Sequence, residues 1–271
     1  MNTIEIQEQL KRHLHYLEQD PDNTNLLMSV GVCYRILNEL DEAVNIMERL
    51  FKLDESNATV AGMLAMLHFD NNVMEPAEFF CKIALVLDAD NREGRLVQVL
   101  LRTLSNEAVQ SEIDALLLEF PEECRLWFAL GTVHMQQMNV VEAGQAFARA
   151  TEIWPGFYDC WISLAWCQLF QNDLDAAEHS YEQAMKADEE QADAFAGMAL
   201  VSALRKEPAE ATPWLEKARS LNDACFLIAM AEVIMANEHS PGQAADRLMQ
   251  AVPGLEEHME LMLARGDGVL H

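Results

Sequence analysis

Apolar side chains recur along this chain at helical spacing. Residues 3–19 place Ile6, Leu10, Leu14 and Leu17 on one face. Later segments of similar length are broken by turn signals at Asn71-Asn72, Asn139, Asn172-Asp173 and Glu207-Pro208. Asp20-Pro21, Phe120-Pro121 and Trp154-Pro155 end further helices, because a residue before proline avoids the helical region. No apolar–polar alternation is long enough to make a sheet. The pattern predicts an all-α chain of about fifteen helices.

The helices come in pairs with a period of 34 residues. From Cys124, one unit carries Trp127, Leu130-Gly131, His134, Ala143, Phe147, Ala150 and Pro155. The next holds Trp161, Leu164-Ala165, Gln168, Ala177, Tyr181 and Ala184, and the one after it Phe195, Met198-Ala199, Ser202, Ala211, Leu215 and Ala218. Backwards, the same slots hold Leu27, Val30-Gly31, Tyr34, Ala43, Met47 and Leu50 in 24–57. In 58–91 they hold Ala61, Leu64-Ala65, His68, Ala77, Cys81 and Ala84. This order of large, medium and small residues resembles the tetratricopeptide repeat. The unit 92–123 is two residues short and reads Arg95, Gln98-Val99 and Arg102 in its first half. The missing residues are expected in that first helix or its turn, with an irregularity at 92–104.

The resemblance implies a right-handed α-solenoid of six to seven helix pairs. One pair cannot bury its apolar face alone, and stacking joins the pairs into one core. The expected organisation is a single solenoid over 1–271. It has an N-terminal capping helix in 1–23, six repeats in 24–225, and a worn seventh repeat with a C-terminal cap in 226–271. The last part holds a turn at Ser240-Pro241, a break at Pro253-Gly254 and a short helix at 255–264. A globular split near 123 would count against a single solenoid. Gly131, Ala143, Ala165 and Ala177 are expected at close helix contacts, and Trp161 in the core.

Charge narrows the partners. The chain has 18 basic and 45 acidic residues, a net charge of −27. The excess is even, with 9 basic and 23 acidic residues in 1–123 and 9 and 22 in 124–271. An acidic surface of this kind disfavours nucleic acid, which needs a basic stripe, and anionic membranes. It serves solubility, or steers a basic partner. The N-terminus lacks an apolar run, so no signal peptide is expected, and no stretch is long enough to span a membrane. Cys33, Cys81, Cys124, Cys160, Cys167 and Cys225 fall in repeat slots or beside them and read as reduced, buried thiols, which implies a cytoplasmic location.

No catalytic or cofactor chemistry stands out. His13 and His15 lie two apart on a helix and point apart. Cys160 and Cys167 are seven apart, about 10 Å along a helix and too far for one zinc. The acidic run 88–94 has Glu93 where a calcium loop needs glycine. His68 and His134 read as packing residues. The chain is therefore expected not to be an enzyme and to use no cofactor.

The resemblance implies that the first helix of each unit lines a concave groove. Its lining slots hold Met28, Val32 and Ile36, then Met66 and Phe69, then Leu96, Leu100 and Leu104. The later units add Phe128 and Met135, then Ile162, Trp166, Leu169 and Phe170, and finally Leu200 and Leu204. This stripe is largely apolar, and it lacks the Lys, Arg and Asn set with which some family members grip a C-terminal carboxylate. Two readings are open. The stripe is either buried against itself or against the terminal helices, or it is an open groove for an apolar or amphipathic, basic peptide. The partner-binding candidates are Phe128, Met135, Trp166, Leu169, Phe170, Met66, Phe69, Met28 and Leu200. The expected function is a protein-binding adaptor or chaperone-like scaffold. The alternatives are a self-associating homo-oligomeric scaffold, or an accessory subunit of an enzyme or secretion complex.

Overall fold

A computed structural model describes residues 3–237. The turn at Ser240-Pro241, the break at Pro253-Gly254 and the helix at 255–264 lie outside the described residues. Among the described residues there are fourteen helices and no strand. After α1 (Thr3–Gln19) come the pairs α2 (Thr24–Ile36) and α3 (Leu40–Leu53), α4 (Ala58–Asp70) and α5 (Met74–Leu87), and α6 (Arg92–Leu104) and α7 (Gln110–Glu119). These are followed by α8 (Cys124–Gln136) and α9 (Val140–Ile153), α10 (Tyr158–Phe170) and α11 (Leu174–Ala187), and α12 (Ala192–Leu204) and α13 (Pro208–Leu221). The last described helix is α14 (Phe226–Asn237).

One backbone feature marks every pair. The residue two places past the first helix is left-handed: Asn38 (φ 60°), Asn72 (58°), Asn106 (55°), Met138 (60°), Asn172 (58°) and Lys206 (65°). The next N–H then reaches back across the helix end, as in Glu39 N to Tyr34 O (2.9 Å), Asn139 N to His134 O (2.8 Å) and Asp173 N to Gln168 O (2.9 Å). This is the Schellman closure, which satisfies carbonyls that the helix leaves open. Asparagine tolerates the left-handed region better than most residues, so four of the six positions fit their backbone.

These turns also locate the deletion. In 92–123 the first helix, α6, has 13 residues, as α4 and α8 do, whereas α7 has 10 where α5 and α9 have 14. The left-handed Asn106 keeps its place after α6, so the missing residues fall between Asn106 and Val109. The deletion thus lies in the turn after α6, one of the two places expected, and the irregularity falls there and at the shortened α7 instead of at 92–104.

Contacts divide the chain into two compact units, Met1–Pro121 and Glu122–His271, at the place where a split counts against a single solenoid. In the first, Ile6, Leu10 and Leu17 of α1 join a core with Leu27, Val30, Met47, Leu64 and Leu67. Asn23, Asn57 and Asn91 cap α2, α4 and α6 by accepting from the N–H of Leu26, Val60 and Gly94. Asn91 is buried and also donates to Ala58 O at 3.0 Å, tying α6 to the start of α4. The α6–α7 pair is built differently. Arg95 sits where later repeats have Trp127 and Trp161, and its guanidinium forks onto Glu119 at 2.7 and 2.6 Å. Arg102, in the slot of Tyr34, binds Glu107 and Glu112. Ion pairs thus stand where other pairs interlock apolar side chains, and α6 and α7 touch only slightly.

In the second unit the aromatic slots are filled as the repeat requires. Phe147 is 2% exposed and Tyr181 0%. Each ring occupies space left by a glycine: a Cβ on Gly131 would lie 2.5 Å from the Phe147 ring, and one on Gly197 2.2 Å from Tyr181. Gly131, Ala143, Ala165 and Ala177 are all buried, as close approach demands. Trp161 departs from its expected place. It is only half-buried, and its indole N–H donates to Pro155 O at 2.8 Å. α14 packs mainly along α12 and hardly on α13, so it lies across the α12 side of the last pair.

Candidate protein-binding surface

The predicted stripe is not uniform, because what lies beside each first helix differs. In the first unit Met28 and Phe69 are half-buried, and Ile36 is 53% exposed at the end of α2. Met66 is only 2% exposed, and Leu96 and Leu100 are 0% and 4%. Met66 is corrected from surface to core. Helix α4 is buried continuously over Val60–His68, against α3, α5 and α6. A helix apolar all round belongs inside.

The second unit holds most of the exposed part. Phe128 and Met135 of α8 are half-buried. Phe128 packs against Phe147 and Phe157, with ring centroids 5.5 and 4.9 Å away. Met135 Sδ accepts from Cys167 Sγ at 3.5 Å, linking α8 to α10. On α10, Trp166 and Leu169 are half-buried and Phe170 is 59% exposed. Leu200 of α12 is 1% exposed, a second correction. Its helix is buried over Ala194–Ala203, and α14 occupies the side that the slot rule assigns to the groove.

The residue that the sequence did not single out is Phe226. Its ring stacks on Trp166 at 6.4 Å with planes 23° apart, while Phe170 lies on the same indole at 6.1 Å. Trp166 and Leu169 pack against the cluster that includes Leu227 and Ile228 of α14. So α14 partly covers the stripe within the described residues. Phe226 is itself 41% exposed, and with Phe170 it forms an aromatic surface.

Acidic groups stand near the start of the same helices. Asp159 is pushed above the usual carboxylate range, first by burial and then by repulsion from Asp193 and Asp188. Cys225 Sγ donates to Asp193 at 3.3 Å. No thiol here is activated. All six cysteines are free and buried, and burial raises Cys81, Cys167 and Cys225 to about 11. Among the described residues there is no group of three or more His, Cys, Asp or Glu that could hold a metal. Among them, too, no helix is long and apolar enough to cross a membrane.

Comparison with known proteins adds to this geometry. Family models described as Tetratricopeptide repeat match residues 24–57, 96–156 and 134–201. No curated protein matches the sequence. Among solved structures, the APC/C hetero-tetramer Cut9-Hcn1 is similar with a TM-score of 0.68 at 16% identity, over 90% of this chain and 46% of that one. The chain thus spans about half the length of that relative. The human IFIT1 dimer with PPP-AAAA is similar with a TM-score of 0.64 at 14% identity, over 96% of this chain and 69% of that one. Pseudomonas aeruginosa pilF gives 0.58 at 14% identity, over 78% and 96%. At such identities the likeness shows the fold alone.

Proposed function

Because this chain belongs to the tetratricopeptide repeat family, whose helix pairs are protein-interaction scaffolds, we propose that it is an adaptor or chaperone-like module that holds an apolar or amphipathic segment of a partner protein. The supporting observation is the surface of Trp166, Phe170 and Phe226 in the second unit, with two rings well exposed and the indole between them half-buried. Exposed aromatics gathered in one place favour an interface, since they supply large contact area at low entropic cost. Phe128, Met135 and Leu169 extend this surface, and Met28 and Phe69 offer a smaller one in the first unit. The net charge of −27 favours a basic partner and argues against nucleic acid. No cofactor is proposed. A single continuous scaffold over 1–271, working in the cytoplasm, is part of this reading.

The test is a titration. In a variant that keeps Trp166 and carries Trp127→Phe, Trp154→Phe, Trp161→Phe and Trp214→Phe, a basic amphipathic helical peptide should shift the Trp166 emission. Phe170→Ser should weaken the response. No response in the folded variant at any peptide concentration below aggregation would dismiss the reading.

A second reading is self-association. It is favoured by α14, which is apolar save for Glu232 and the terminal Asn237, with Phe226 exposed and Val233 and Met235 only half-buried. Light scattering across a hundredfold dilution separates the two readings: a concentration-dependent mass that Phe226→Asp abolishes supports self-association.

A further inference from the structure

The turns that close the helix pairs of the second unit carry an anomaly. At the left-handed position, other repeats have Asn38, Asn72, Asn106 and Asn172, but here the chain has Met138, at φ 60°. A long apolar side chain is disfavoured in that backbone region. It gains nothing by packing either, because Met138 is 60% exposed. Two separate costs at one residue, with no structural return, point to a role outside the fold.

Met138 has company at the ends of the next two first helices, two residues before the left-handed positions held there by Asn172 and Lys206. Phe170 ends α10 and is 59% exposed, and Leu204 ends α12 and is 39% exposed. Val141, at the start of α9, is 52% exposed. Three consecutive helix turns of one unit thus each present an apolar side chain at the same end of the stack.

Charge fixes the sign of what fits. Exposed Glu142, Asp173, Glu207 and Glu210 flank these side chains in the same turns. Arg205 is held by Glu178 at 2.7 Å and Asp175 at 2.5 Å, and so adds little net positive charge. Lys206 opposes the acids, but they outnumber it.

We propose that this turn edge, marked by Met138, Phe170 and Leu204, is a docking surface for a basic amphipathic helix of a partner. The partner helix carries apolar residues along one face and Lys or Arg beside them. The edge meets the concave stripe at Phe170 and Leu204, whereas Met138 and Val141 fall outside its lining slots, so Met138 tests the edge apart from that stripe.

The test uses the full chain and a synthetic 21-residue Leu-Ala-Lys helix with leucines at i, i+7 and i+14, labelled for fluorescence anisotropy. A scrambled peptide of the same composition is the control. Met138→Asn is the decisive variant, because it relieves the backbone while removing the side chain. It should raise the melting temperature and weaken peptide binding by about fivefold or more. Leu204→Ser should weaken binding similarly. Binding equal for the helix and the scramble would overturn the proposal, since charge alone would then be responsible. So would binding unchanged by Met138→Asn in a protein whose melting temperature has risen. Loss of binding in Trp166→Glu but not in Met138→Asn, with both proteins folded by circular dichroism, would place the peptide on the concave surface and also overturn the edge.

Discussion

Arg95 of α6 grips Glu119 of α7 through two parallel hydrogen bonds of 2.7 and 2.6 Å, in the repeat slot where a tryptophan stands elsewhere. The two-residue deletion has shortened α7, so the pair cannot interlock over its usual length. A bidentate ion pair can span a gap that apolar packing leaves open.

Stability in the first unit should therefore respond to pH and salt. The bond from Arg95 holds the Glu119 carboxyl below its ordinary range. A carboxylate with a depressed folded-state value stabilises at and above its unfolded value, and that contribution is lost as pH falls through the folded value. Glu119→Gln should lower the urea midpoint at pH 7, and the difference from the parent should shrink at pH 3 and in 1 M salt. Both groups are partly exposed, so the effect is small. An undiminished difference at pH 3 would show that Glu119 acts by packing.

His68 should set a second pH dependence of opposite origin. It is 7% exposed, its Nε2 has no hydrogen-bond partner, and its ring stacks on Phe80 at 5.6 Å. Burial lowers its affinity for a proton, against a weaker opposing pull from Glu48. Between its folded value and about 6.5 the unfolded chain binds more protons, so stability falls as pH drops through that window. His68→Phe should remove this loss. Urea melts at pH 7.5 and 5.5 would show it as a smaller difference between the two conditions in the variant.

The glycines should divide by what faces them. A Cβ on Gly31 would meet Met47 Cε at 2.5 Å, the flexible end of a side chain that can turn away. On Gly131 and Gly197 it would meet the Phe147 and Tyr181 rings, which are locked in the core. Gly31→Ala should be close to neutral, since the helix gains roughly 0.5–1 kcal/mol over glycine. Gly131→Ala and Gly197→Ala should cost about 1–3 kcal/mol by overpacking. Equal melting temperatures for all three would refute the ranking.

The left-handed turns should respond to substitution in opposite directions. Lys206, at φ 65°, stands where asparagine or glycine fits better, so Lys206→Gly should stabilise by about 1 kcal/mol. Asn38→Val, at φ 60°, should destabilise by about 1–2 kcal/mol. Thermal melts of the two variants moving in the same direction would contradict this assignment.

By itself the sequence determined the helices, their pairing and the register, because a 34-residue alternation of large and small residues can be satisfied only by stacked pairs. The slots of Gly131, Phe147, Ala177 and Tyr181 follow from that register, and all four are buried as it requires. Tertiary structure decided which first helices remain exposed. Met66 and Leu200 occupy the same kind of slot as Phe128 and Trp166, yet they are core. The cause is the neighbour: α5 and α6 enclose α4, and α14 lies along α12. The uniform apolarity of 60–67 and 194–201 hinted at this, but a slot rule reads one residue and not what covers it. Phe226 on Trp166 joins helices 60 residues apart, a relation outside any local period. Met138 was legible in principle, since aligning the repeats places it opposite four asparagines. Its cost became visible only through the backbone angle, which periodicity does not report.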